Sequence, residues 1–175
     1  MTPRLLPGFL GPRDRVVVAT IAHAAARRIP TFTDATVGGV FTAGRQGTGY
    51  DKLDLLESPT AERLVKKCLK ELGDPVLFDA WLLRYPVGSE IPAHTDPPIP
   101  GMCHIRINAL ALTSSGGVLY VDGAEVPLDG GDAYVFRPDV MRHMVTKVEK
   151  NERLVLSVGA NVDEAHARRV LSPTA

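Results

Sequence analysis

The chain has 175 residues, enough for one domain with a sizeable core. Its 20 basic and 20 acidic residues balance, which argues against a broad surface for nucleic acid or anionic membranes but leaves a local basic pocket open. No stretch is long and apolar enough to span a bilayer, and the two cysteines make no disulfide framework. We therefore expect a reduced, cytoplasmic protein that acts away from membranes.

Two helices are predicted in the first half of the chain. Residues 12–28 begin with proline, carry Asp14 at the positive end of the helix dipole and end in two arginines at the negative end. Residues 59–72 place their apolar side chains on one face, and Gly73 follows as a cap.

From residue 76 onward, short apolar or alternating runs are separated by turns, and Asp122-Gly123 between two such runs predicts a hairpin. Short strands at this density indicate an antiparallel sandwich or barrel. We expect a mainly β fold with N-terminal α-helices, namely a double-stranded β-helix (jelly roll, cupin-like). A single domain over residues 1–175 would combine a helical N-terminal part, about 1–75, with a jelly-roll core, about 76–162.

A candidate metal site begins at residues 92–96, PAHTD, where His94 and Asp96 lie two apart. The pair alone does not distinguish a metal-binding pair from two polar residues in a loop. His143 lies between a strand ending near Phe136 and another that follows it, and in a jelly roll strands distant in sequence lie side by side. Two imidazoles and one carboxylate on one face of an ion leave the opposite positions open, which suits non-haem Fe(II) rather than a closed structural site.

Arg153 opens an alternating strand ten residues after His143. An arginine that points into a barrel is a costly buried charge unless it has a partner. A dicarboxylate cosubstrate is such a partner, because the planar guanidinium holds a carboxylate with two hydrogen bonds.

Together, His94, Asp96, His143 and Arg153 resemble the signature of the Fe(II)/2-oxoglutarate-dependent oxygenases. The surrounding layout is most similar to the prolyl-4-hydroxylase-like branch of that superfamily. That branch has a tyrosine and a glycine turn before the His-x-Asp pair, an arginine and then a Gly-Gly step after it, and a Gly-Asp strand with a proline before the distal histidine. The corresponding positions are Tyr85 with Gly88, Arg106 with Gly116 and Gly117, and Gly131 and Asp132 with Pro138.

The resemblance implies a role for each of these residues. The two histidines and Asp96 would bind Fe(II), and Arg153 would bind the distal carboxylate of 2-oxoglutarate. Tyr85 would lie against the cosubstrate, and Thr113 is a further candidate for the same carboxylate because some relatives use a tyrosine hydroxyl near there. Asn108 and Arg106 share the parity of one strand, so both can face the pocket, Asn108 toward the cosubstrate and Arg106 toward the substrate.

The activity that the resemblance implies is hydroxylation of a C–H bond with O2, releasing succinate and CO2. Asp96 favours hydroxylation, because halogenating relatives lack this carboxylate. The short chain indicates a small molecule, an amino acid or a short peptide as substrate. Residues 43–54 and 97–103 are expected to shape the entrance, the first as a lid. Trp81 is expected in the core.

Three other functions stay open. A cupin-type metal enzyme, an isomerase or a dioxygenase without 2-oxoglutarate, would share the Gly-Asp, proline and His143 pattern, although the first cupin motif is missing. A nucleic-acid demethylase of the same superfamily usually carries a second arginine six residues after the first, where this chain has Gly159. A jelly-roll binding module without activity is the third.

Overall fold

The computed structural model describes residues 2–28, 40–43, 50–56, 58–96 and 100–172. The helices are α1 (Pro12–Arg28), α2 (Glu62–Glu71) and α3 (Glu164–Leu171). The strands are β1 (Arg4–Leu6), β2 (Val40–Ala43), β3 (Tyr50–Asp54), β4 (Leu77–Tyr85), β5 (Ile91–His94), β6 (Cys103–Leu112), β7 (Ser115–Gly116), β8 (Leu119–Val121), β9 (Ala124–Glu125), β10 (Ala133–Phe136), β11 (His143–Val145), β12 (Val148–Lys150) and β13 (Arg153–Val162).

Antiparallel sheets form the body of the described chain. A seven-stranded sheet has the order β1-β10-β6-β13-β4-β3-β2, a four-stranded sheet has the order β5-β11-β8-β9, and β12 pairs with β7. A pocket lined by residues of both the seven-stranded and the four-stranded sheet lies between them. The predicted mainly β architecture is confirmed.

The central strands β6 and β13 are buried on both faces, and each face has its own chemistry. Ile105 and Ile107 of β6 belong to the main core, which also contains residues of all three helices, whereas Arg106 and Asn108 line the pocket. On β13, Leu154, Leu156 and Val158 belong to the same core, while Arg153, Val155 and Ser157 line the pocket. Because successive side chains of a strand point to opposite faces, one face closes the core and the other builds the site.

Several boundaries differ from the sequence-based expectations. Helix α2 begins at Glu62, because residues 59–61 form turns. The stretch 43–54, expected to be a lid, ends in strand β3, which pairs with β4. Residues 44–49 of this stretch and residues 97–99 of the second entrance segment lie outside the described residues. The predicted hairpin at Asp122 and Gly123 is confirmed, with both residues at positive φ. No helix of the described chain is long and apolar enough to cross a membrane.

Asp14 fastens α1 to α2. Its carboxylate accepts hydrogen bonds from Arg63 at 2.5 Å and from Lys67 at 3.0 Å, and the residue is only 7% exposed. Burial by itself raises the pKa of Asp14, but the hydrogen bonds from Arg63 and Lys67 outweigh it and hold the pKa below its ordinary value. Asp14 therefore stabilises the fold in its ionised form.

We expect Asp14→Asn to lower the free energy of unfolding by about 2 kcal/mol at neutral pH, the range of a hydrogen bond to a charged group. A carboxylate whose pKa is lowered by folding contributes stability above its unfolded pKa and loses it as pH falls through the folded pKa. The difference between variant and wild type should thus shrink below about pH 4. Urea unfolding as a function of pH measures it, with the exposed Glu90→Gln as control; a pH-independent difference would contradict this role.

Candidate functional site

The two histidines of the candidate metal site are cross-strand neighbours. Strands β5 and β11 pair so that His143 lies opposite His94, and the ring centroids are 4.3 Å apart. Asp96 follows the end of β5, and its backbone N–H donates to the carbonyl of Pro138 at 2.8 Å. One ligand atom from each of the three side chains lies within 4.8 Å of the others. The pairing register therefore brings together the three residues that the sequence spacing singled out.

Both imidazoles are oriented by the backbone. His94 Nδ1 lies 2.8 Å from the carbonyl oxygen of Pro92, and His143 Nδ1 lies 3.1 Å from that of Met141. Because a carbonyl oxygen only accepts, each Nδ1 carries the hydrogen and each Nε2 keeps a free lone pair. Burial lowers the pKa of His143, which favours the neutral, metal-binding form. Two nitrogens and a carboxylate oxygen fit a divalent ion such as Fe(II), Mn(II) or Co(II).

Arg153 is a buried cation that faces the same pocket. It is 4% exposed and lies opposite Tyr85 of β4, with its guanidinium carbon 5.2 Å from the centre of that ring. The Tyr85 ring in turn stacks on Tyr50 at 5.0 Å. Among the described residues, no carboxylate pairs with Arg153 and no acceptor takes a hydrogen bond from it. A guanidinium enclosed in this way calls for an anionic ligand.

Gly117 makes room for the arginine. Its φ is +64°, and a Cβ atom built there would lie 3.2 Å from Cδ of Arg153 and 2.8 Å from the hydroxyl of Ser114. A larger residue would be strained in this conformation and would press on the arginine side chain.

Asn108 and Tyr134 form a second polar group in the pocket wall. The Asn108 amide donates to the Tyr134 hydroxyl oxygen at 2.7 Å, and both residues are buried. Since that oxygen accepts from Asn108, the hydroxyl hydrogen of Tyr134 is left to donate to another group. Tyr134 was missed from the sequence, because nothing in AYVF distinguishes it from core packing.

Arg106 faces the pocket as predicted and is held by protein partners. Its guanidinium donates to Asp79 at 2.7 Å and to the hydroxyl of Ser157 at 2.8 Å. Gly159 lies against this pair, and a Cβ atom there would come within 2.7 Å of Asp79 and 2.9 Å of Arg106. A second arginine at position 159 therefore has no space in this arrangement.

Lys52 and Trp81 complete the wall next to Arg106. The Lys52 ammonium lies 4.5 Å from the centre of the Trp81 ring, and both side chains line the pocket. Trp81 is half-buried: it packs against a smaller core cluster that contains Tyr85, as expected, and it also lines the pocket. On β4, Ala80 and Leu82 belong to the main core, so the alternation turns Trp81 and Tyr85 to the pocket face.

Seven of the eight predicted site residues line this one pocket: Tyr85, His94, Asp96, Arg106, Asn108, His143 and Arg153. Thr113 is the exception. Strand β6 ends at Leu112, and Thr113 lines a second cavity of about 300 Å³, which Arg153 also lines. Lys52 was missed, although its parity with Tyr50 in a short alternating run places both on one face.

The chain resembles solved structures but matches no family model and no curated protein sequence. A viral collagen prolyl hydroxylase from Paramecium Bursaria Chlorella virus-1, in its 2-oxoglutarate complex, is 12% identical with a TM-score of 0.64, over 94% of this chain and 97% of that one. A Pseudomonas putida prolyl-4-hydroxylase is 19% identical with a TM-score of 0.59, over 93% and 92%. HygX from Streptomyces hygroscopicus, with nickel, 2-oxoglutarate and hygromycin B bound, is 14% identical with a TM-score of 0.62, over 93% and 83%.

These similarities show the fold. The chain has the double-stranded β-helix of the 2-oxoglutarate-dependent oxygenases, which confirms the predicted fold class and, at the level of the fold, the resemblance to the prolyl-4-hydroxylase-like branch. The similarity spans more than 90% of this chain and of both prolyl hydroxylases.

We expect His143→Ala to weaken Mn(II) binding strongly. Loss of a hydrogen bond that merely orients a ligand costs about 10–100-fold in metal affinity, so loss of the ligand itself should cost at least that. Calorimetric titration of the metal-free protein measures the affinity. His23→Ala is the matched control, because His23 lies on α1 and pairs with Glu152 instead. Equal affinity of the two variants would contradict the site.

Proposed function

We propose that the protein is an Fe(II)- and 2-oxoglutarate-dependent oxygenase that hydroxylates a C–H bond of a small molecule, an amino acid or a short peptide. One observation carries the proposal: the buried guanidinium of Arg153 has no anion among the described residues and shares a pocket with three convergent metal-ligand groups. A 2-oxo dicarboxylate fits both groups. Its 2-oxo acid end can chelate a metal ion, and its far carboxylate can pair with the arginine.

The residues around Arg153 fit a carboxylate. Its guanidinium offers two parallel hydrogen bonds, and Tyr134, with its hydroxyl hydrogen unused, is placed in the same wall as a further donor. Tyr85 and the ring of Tyr50 stacked on it keep that end of the pocket apolar, which strengthens a charged hydrogen bond. The cosubstrate role of Thr113 stays a prediction. Thr113 and Arg153 both line the second cavity, so contact between Thr113 and a carboxylate at Arg153 would be made from that cavity.

His94, Asp96 and His143 would hold the iron and leave its other positions for the cosubstrate and O2. Bound Fe(II) supplies the O2 chemistry that couples decarboxylation of 2-oxoglutarate to succinate and CO2 with substrate oxidation. The protein's part is to fix the neutral imidazoles through Pro92 and Met141 and to keep the cosubstrate oriented. The carboxylate of Asp96 favours hydroxylation over halogenation.

Neighbours of the same fold support a broad substrate class. One was solved with a peptide fragment of a hypoxia-inducible factor degradation domain, and another with hygromycin B. A small-molecule or short-peptide partner fits both. The crowding at Gly159 disfavours the nucleic-acid demethylase reading. A single domain and a cytoplasmic setting, in which the buried thiols Cys68 and Cys103 stay free, are part of the proposal.

A cupin-type metal enzyme without 2-oxoglutarate is the alternative. The segment from Gly131 to His143 also suits a cupin motif. It leaves Arg153 unexplained, however, because such an enzyme has no dicarboxylate to neutralise a buried arginine. Dependence on 2-oxoglutarate separates the two.

The test is anaerobic titration of the metal-free protein with Fe(II) and then with 2-oxoglutarate, followed by the weak visible charge-transfer band of the chelate. We expect the band in wild type and a 2-oxoglutarate affinity at least about 10-fold lower in Arg153→Gln, since truncating one partner of a buried charge pair costs 2 kcal/mol or more. Arg13→Gln removes an equal charge from the exposed face of α1 and should leave the affinity unchanged. No band in folded, iron-loaded protein would overturn the oxygenase and favour the cupin-type enzyme.

A further inference from the structure

The pocket has one positive charge more than the proposed chemistry uses. Lys52, Arg106 and Arg153 line it, and Asp96 is the carboxylate among the lining residues. Arg106 is paired with Asp79 at 2.7 Å. Lys52 forms no ion pair or hydrogen bond with any residue that the structure describes.

The charges balance once iron and cosubstrate are in place, except at Lys52. A divalent ion and the Arg153 guanidinium together offset Asp96 and a doubly charged 2-oxoglutarate. The Arg106–Asp79 pair is neutral by itself. Among the residues that the structure describes, the ammonium of Lys52 is therefore the pocket charge that has no ion-pair partner of its own once iron and cosubstrate are bound.

The surroundings of Lys52 combine this charge with an apolar platform. Lys52 lies on β3 opposite Leu83 of β4, half-buried, with its ammonium over the face of Trp81 at 4.5 Å. Burial, and then the neighbouring Arg106, lower the pKa of Lys52, so an anion beside it would relieve an unfavourable environment. An ammonium over an aromatic face keeps its other N–H donors for a second partner.

We propose that Lys52 and Trp81 form the substrate subsite and that the substrate is a small carboxylic acid with an apolar chain. Its carboxylate pairs with Lys52, and its carbon chain packs on the Trp81 ring. The inference rests on the proposed function, because the pairing orients a C–H bond of that acid toward the metal site in the same pocket. Amides and cationic molecules of the same shape lack the charge that Lys52 requires.

The test uses protein loaded with Mn(II) and saturating 2-oxoglutarate. Trp81 is the single tryptophan of the chain, so its fluorescence reports binding beside Lys52 without a label. The probes are N-acetyl-L-leucine and hexanoate, each compared with its carboxamide. We expect saturable quenching by the acids and at least about 10-fold weaker binding of the amides, as for loss of one partly buried ion pair. Calorimetry with the same ligands provides a second readout.

Three variants fix the assignment to Lys52. Lys52→Gln should lose the preference for acid over amide, while Lys52→Arg should retain most of it. Lys70→Gln, which removes the same charge from the exposed face of α2, should bind like wild type. Circular dichroism confirms that each variant is folded.

Equal binding of acid and amide, an acid preference that persists in Lys52→Gln, or no saturable response to either acid would each overturn the inference. The chelate band of the Fe(II) protein is measured separately. A normal chelate band together with equal binding of acid and amide would contradict the proposed subsite and leave the proposed oxygenase standing. An acid preference that depends on Lys52, without a chelate band, would contradict the oxygenase proposal and would show an anion-binding pocket instead.

Discussion

Arg153 carries a positive charge into the interior, and none of the described residues around it supplies an anion. The Tyr85 ring lies beside the guanidinium, and the missing side chain of Gly117 leaves space for its stem. Burying an unpaired cation costs free energy, and the fold carries this cost until an anion binds. Sites poised in this way sacrifice stability for function, and under the proposed function the anion that binds here is the far carboxylate of 2-oxoglutarate.

The rest of the site follows from strand alternation around that charge. Strands β6 and β13 lie side by side in the large sheet and are buried on both faces. Their apolar faces close the core with the helices, and their other faces collect Arg106, Asn108, Arg153 and Ser157. In the four-stranded sheet, the pairing of β11 with β5 places His143 next to His94, and both line the same pocket. Core and site are thus two faces of the same strands.

The sequence predicts a residue's place in the site when local spacing determines that place. It does not do so when the place depends on how strands pair. His94, Asp96, His143 and Arg153 stand at strand ends with distinctive spacing, so the motif finds them. Trp81 and Lys52 do not stand out, because β4 carries large apolar side chains on both faces and neither sequence shows that β3 pairs with β4. Thr113 was predicted from the resemblance alone, and strand β6 ends one residue before it, so the strand does not carry its side chain into the pocket.

A crystal structure of the protein with Mn(II) and 2-oxoglutarate would show whether the metal site and Arg153 bind the two ends of one cosubstrate. We expect one ion held by Nε2 of His94, the carboxylate of Asp96 and Nε2 of His143. We also expect the dicarboxylate to extend from this ion to a two-hydrogen-bond contact with Arg153. An ion elsewhere, or Arg153 neutralised by a carboxylate of the protein itself while 2-oxoglutarate lies outside the pocket, would contradict the proposed function.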